Sequence, residues 1–62
     1  MTTYIDANGR EIRPGQMLVW QERGARHACG VEADPKWTGG MRINGRSVAA
    51  LIEDAEWVKV VT

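Results

Sequence analysis

The sequence predicts a small all-β domain, and three observations carry that prediction. Two Asn-Gly pairs, Asn8-Gly9 and Asn44-Gly45, each lie between short runs with apolar residues at matched distances. Turn residues punctuate the chain at short intervals: Asn8-Gly9, Pro14-Gly15, Gly24, Asp34-Pro35, Gly39-Gly40 and Asn44-Gly45. Between them, Met17-Leu18-Val19-Trp20 is apolar on both faces, as a central strand covered on two sides requires.

Asn-Gly suits the two-residue hairpin turn in which both central residues have φ > 0, because the twist of that turn matches the twist of its strands. A turn at Asn8-Gly9 sets Ile5 opposite Ile12 and Tyr4 opposite Arg13, with the like-charge pair Asp6 and Glu11 between them. After the central strand at 17–20, a second run alternates, with Cys29, Val31 and Ala33 on one face and Ala28, Gly30 and Glu32 on the other. Gly30 there marks a bulge, or a place where a large side chain lies against bare backbone.

A turn at Asn44-Gly45 sets Ile43 opposite Arg46, Met41 opposite Val48 and Gly39 opposite Ala50, while Arg42 and Ser47 share the other face. Residues 47–56 admit two readings. Val48, Leu51, Ile52 and Ala55 have helical spacing, and Ser47 suits the cap of such a helix. Against it, Glu53, Asp54 and Glu56 crowd the end where the macrodipole disfavours negative charge, and the Asn44-Gly45 register asks for an extended chain over 46–50. The reading adopted is a strand through about Leu51, one helical turn over 53–55 and a last strand from Trp57 to Val61.

About five short antiparallel strands with a single tight helical turn before the last one resemble an SH3-like barrel. The opening Asp6-x-x-Gly9-x-x-Ile12-x-x-Gly15-Gln16-x-Leu18, a quarter of the chain, is similar to the start of many small SH3-like proteins, among them short phage and prophage accessory proteins. Gly15-Gln16-Met17-Leu18-Val19-Trp20 and the later Gly30 also resemble the KOW element of ribosomal and transcription factors. Departures are visible: Gln16 stands where that element has an acid, His27 where it has glycine, Val31 comes one residue early, and the family's basic excess is missing. The first resemblance implies a non-enzymatic protein-interaction or assembly module, and the second a nucleic-acid-binding module that uses the segment Arg23 to His27.

With 62 residues the chain is read as one domain, 1–62, and a chain of this size buries only about 60% of its unfolded surface. Such a core rarely supplies more than roughly 3–5 kcal/mol, so gain of stability by homo-oligomerisation is expected. The Trp57–Val61 segment, with Lys59 as its only charge, is the expected pairing edge. One cysteine, Cys29, excludes an internal disulfide, and one histidine, His27, leaves no usual zinc ligand set. Eight basic and eight acidic residues cancel, so the whole-molecule field draws in neither nucleic acid nor anionic lipid. No apolar run approaches the ~20 residues of a membrane span, and the opening Met1-Thr2-Thr3-Tyr4 has no leader character. With one unpaired thiol, the expected compartment is the cytoplasm.

Candidate chemistry is sparse. His27 and Cys29 share a strand face but have no third orienting group, Glu53, Asp54 and Glu56 lack the frame of a calcium loop, and no phosphate loop, dinucleotide fingerprint or serine elbow occurs. The expectation is a binding protein that is not an enzyme and carries no cofactor or metal. Its expected contact residues, if it has a ligand surface, are Arg23, Arg26 and His27 in one basic loop and Lys36 and Trp37 in the next, where guanidinium planes and an indole ring both pair charge and stack. The same loop also reads as a solvated hairpin tip, and Trp37 equally as a lid over one open end of the core. A protein is the favoured partner, since neutrality speaks against nucleic acid. Trp20 and Trp57, inside strand patterns, are expected as core or half-buried sheet residues.

Overall fold

The structure, a computed structural model, describes residues 3–61, so Met1 and Thr2 of the leader reading lie outside the described residues. Its elements are β1 (Met17–Glu22), β2 (Ala25–Gly30), β3 (Glu32–Ala33), β4 (Met41–Ile43), β5 (Arg46–Ser47), α1 (Val48–Asp54) and β6 (Trp57–Val60), with a 3-10 turn over Thr38–Gly40. They form two antiparallel sheets of three strands, ordered β2-β1-β6 and β3-β4-β5. The mainly-β class holds. Neither sheet closes into a barrel, because β3 and β5 are two residues each and the chain after β5 turns into a helix, leaving no strand to bridge the sheets.

Helix α1 corrects the strand expected through Leu51 and the single helical turn expected over 53–55. The hairpin register holds at the turn itself: Ile43 pairs with Arg46 and Arg42 with Ser47, and Asn44 and Gly45 have φ of 48° and 79°. Beyond it the chain leaves the sheet, so Met41 pairs with Ala33 on its other side instead of meeting Val48. Ser47 Oγ accepts the Ala50 N–H at 3.2 Å, and Val48 and Leu51 are fully buried. Burying two aliphatic side chains is worth about 1.5–3 kcal/mol each, against about 0.3–1 kcal/mol for acids at a helix C-terminus, so packing wins. Glu53 and Asp54 stay exposed, and Asp54 lies 3.5 Å from the Arg46 guanidinium.

The first turn also departs from the expected register. Ile5 bridges to Glu11, the Ile12 N–H donates to the Tyr4 carbonyl, and the Asp6 N–H donates to the Arg10 carbonyl, one residue away from the predicted pairing. The shift keeps Asp6 from facing Glu11. Asp6 instead turns inward, where one carboxylate oxygen accepts the N–H groups of Asn8 and Arg10 at 2.9 and 2.7 Å. Ile12 is buried as a result and Ile5 is half exposed.

Between β2 and β3 the chain passes from one sheet to the other at Val31, which is buried and held by Gln16 and Gly15 backbone groups at 2.8 and 2.9 Å. No large side chain lies on Gly30: a Cβ there meets only the Gln16 carbonyl, at an ordinary 3.9 Å.

The core gathers Ile12, Leu18, Trp20, Val31, Met41, Ile43, Val48, Leu51, Val58 and Val60 from both sheets and the helix. Arg46 ties the sheets together at one end by a two-pronged ion pair with Glu22. β6 is the outer strand expected of Trp57–Val61, but its free edge is covered. Ala7 N–H donates to the Val58 carbonyl (2.8 Å), Asp6 Oδ2 accepts the Val60 N–H (2.8 Å), and Arg10 Nη1 reaches the Val60 carbonyl (3.3 Å). Loop 6–10 therefore takes the place of a neighbouring strand.

Candidate functional site

Alternation along the strands divides the sheet β2-β1-β6 into two faces. Leu18, Trp20, Val58 and Val60 enter the core; Met17, Val19 and Gln21 of β1, Arg26 and Ala28 of β2, and Trp57 and Lys59 of β6 point the other way. That outer face is open to solvent. Arg26, Ala28 and Lys59 are exposed, Met17 and the following Val61 are 39% and 52% exposed, and Val19, Gln21 and Trp57 are half-buried among their neighbours.

Register aligns Arg26, Gln21 and Trp57 in one row across the three strands and Ala28, Val19 and Lys59 in the next. Arg26 crosses back over the sheet, its guanidinium carbon 5.8 Å from the centre of the Trp57 ring, and Lys59 Nζ lies 5.0 Å from the same centre. Both contacts have cation–π geometry. Gln21 Nε2 donates to Glu56 Oε2 at 2.6 Å, which fixes the amide beside the ring. Trp57 also borders a shallow cleft of mixed polarity shared with Ile5, Asp6, Ile52, Ala55, Glu56 and Val58.

Charge is distributed unevenly. Arg13 pairs with Glu11, Arg42 with Glu32, and Arg46 with Glu22 and Asp54. The hydrogen bond from Arg46 holds the Glu22 carboxyl below the usual glutamate range, as the bond from Arg13 does for Glu11. Among the described residues, Arg10, Arg23, Arg26, Lys36 and Lys59 have no carboxylate within ion-pairing distance, and three of these five, Arg23, Arg26 and Lys59, stand at the turn end and outer face of this sheet.

The five residues singled out from the sequence are dispersed. Arg23 and Gly24 form a two-residue turn with φ of 52° and 78°, and the arginine is exposed at its tip. Arg26 and His27 belong to β2, and alternation sends them to opposite faces: Arg26 to Trp57, and His27 onto Trp20, with ring centroids 5.6 Å apart and a 25° interplanar angle. Lys36 and Trp37 follow β3, beyond the far end of β2. Their backbone N–H groups bond to Asp34, at Oδ1 (3.1 Å) and at the carbonyl (3.1 Å), and Trp37 is 36% exposed. Among the described residues no hydrogen bond, ion pair or ring contact joins the two groups.

Trp57 and Lys59 were missed as contact residues. Their signal is present, since Trp57 and Lys59 alternate with Val58 and Val60. What the pattern lacks is the identity of the strand beside them, and Arg26 reaches Trp57 only because β1 separates β2 from β6. Among the described residues no group of three or more His, Cys, Asp or Glu is placed to hold a metal ion, and no helix is long and apolar enough to cross a membrane. Searches of protein-family models, curated proteins and solved structures give no significant match to this chain.

Proposed function

We propose that the chain is a small, non-enzymatic binding module for a protein partner, with the outer face of β2-β1-β6 as its contact surface. One observation carries the reading: the Trp57 ring, with the unpaired cations Arg26 and Lys59 over it, sits on an open face that also carries Val19 in the next row and Met17 and Val61 in the row beyond. An aromatic anchor with arginine at its side and an aliphatic surround has the composition of an interface hot spot. Co-purification from extracts of the encoding organism tests it. Partners held by the parent chain are expected to be lost with Trp57→Ala at unchanged melting temperature, whereas retention of every partner ends the reading.

A second reading rests on the same ring. An indole between two cations also holds a base and its phosphates, and Arg26 belongs to the basic segment that the KOW-like resemblance points to. Titration with a single-stranded RNA and a duplex DNA at low and moderate salt separates the two, because phosphate contacts give an affinity that falls steeply with salt. The protein reading expects no such salt-dependent binding.

A further inference from the structure

The two edges of the β2-β1-β6 sheet are treated differently. Glu56 and Val61 donate their N–H groups to the carbonyls of Gln21 and Met17, so the odd-numbered residues of β1 direct their backbone groups to β6. Leu18, Trp20 and Glu22 therefore bond toward β2, where Cys29, His27 and Ala25 stand opposite them. The N–H and C=O groups of Arg26, Ala28 and Gly30 face away from the sheet, and among the described residues nothing takes them up. On β6 the corresponding edge is covered by loop 6–10, whereas β2 is left open.

That open edge is also unshielded by its side chains. Natural edges are blunted by charge, proline or a bulge, yet β2 has no proline, its residues 25, 28 and 30 are Ala, Ala and Gly, and its arginine is drawn back over Trp57. We propose that this edge accepts an extended, acidic segment of the protein partner as an added antiparallel or parallel strand; the inference rests on the proposed protein-binding reading. Strand addition uses the free ladder of donors and acceptors at Arg26, Ala28 and Gly30, which a nucleic acid does not match. Acidic side chains on the added strand meet the unpaired Arg23 and Arg26, the cations of the β1-β2 hairpin beside that edge. A second copy of β2, which has no acidic residue, offers Arg23 and Arg26 no counter-charge.

The probe is a capped ten-residue peptide with Glu at every second position and Val or Thr between, compared with the same peptide carrying Lys for Glu. Titrated into the isotope-labelled full chain, the acidic peptide is expected to bind at least tenfold more tightly and to slow solvent exchange of the Arg26, Ala28 and Gly30 amides. Ala28→Pro removes one outward N–H and leaves the bonds to β1 in place, so it is expected to weaken binding at least tenfold. If that variant does not fold, Arg26→Glu serves instead, with loss of the preference for the acidic peptide expected.

Equal binding of the two peptides overturns the proposal, as does unchanged binding by a folded Ala28→Pro chain. Perturbation confined to Trp57, Lys59 and Val19, with the edge amides unaffected, overturns it while leaving the face reading intact. Absence of peptide binding beside Trp57-dependent co-purification does the same. Protection of the edge amides in a concentration-dependent dimer without peptide assigns the edge to a second copy and likewise overturns it.

Discussion

Arg23 and Asn44 occupy the first central position of equivalent tight turns, with φ of 52° and 48°, and only one of them is a residue that tolerates the left-handed region well. For an ordinary L-residue that conformation costs roughly 1–2 kcal/mol, and Asn recovers part of it through local hydrogen bonding. Arg23→Asn is therefore expected to stabilise the chain by about 0.5–1 kcal/mol, read as a higher urea midpoint with unchanged slope. A lower midpoint means that the Arg23 side chain contributes more than its backbone strain removes. The Asn44-Gly45 turn was legible in the sequence for the same reason that the turn at 23–24 was only half legible: Gly24 signalled it, but an arginine gave no sign that it would share the positive φ.

Helix α1 shows how an element is decided by its surroundings. Its spacing and its Ser47 cap were visible in the sequence, and a correct argument about acids at its C-terminus still pointed the other way. The reversal comes from the cavity that the two sheets leave for Val48 and Leu51, which no single segment reveals. Because seven residues make a helix too short to persist alone, the cap should matter. Ser47→Ala is expected to cost about 1 kcal/mol in chemical denaturation, with loss of helical circular dichroism in step with tertiary fluorescence. Helical signal disappearing first would show that α1 frays independently of the sheets.

Across the whole molecule, two carboxylates join parts distant in sequence: Asp6 holds loop 6–10 to β6, and Glu22 holds the first sheet to Arg46 of the second. Burial pushes the Asp6 carboxyl up, but the N–H groups of Val60, Arg10 and Asn8 and the Arg10 charge outweigh it and leave the group below the ordinary aspartate range. The Arg46 hydrogen bond lowers Glu22 in the same direction. With both folded-state values depressed, the unfolded chain takes up protons first as pH falls. Their stabilisation is present above about pH 4–5 and is lost on descending through about pH 4 and below. Melting temperature is accordingly expected to hold between pH 7 and 5 and to drop toward pH 3. Asp6→Ala, which leaves three backbone donors without their acceptor, is expected to cost about 1–3 kcal/mol at pH 7 and to flatten part of that drop. A profile identical to the parent's would assign the acid sensitivity to Glu22 and the remaining carboxylates.

By itself the sequence determined the mainly-β class, the turn at Asn44-Gly45 with its first two pairs, the place of β1 between two strands and the burial of Trp20, because hairpin twist and strand alternation are local properties. The cover expected on both faces of β1 is missing on one, since among the described residues no element packs over its Met17, Val19 and Gln21 side. Tertiary structure alone decided that the sheets stay open, that residues 48–54 coil, and that Asp6 buries to guard one edge while β2 keeps the other free. It also drew Arg26 away from His27 and set it over Trp57, thirty-one positions along the chain. Which strand lies beside which depends on long-range packing of Leu18, Trp20, Val58 and Leu51 in a common core, and alternation within a strand says only that two faces exist, never what will cover them.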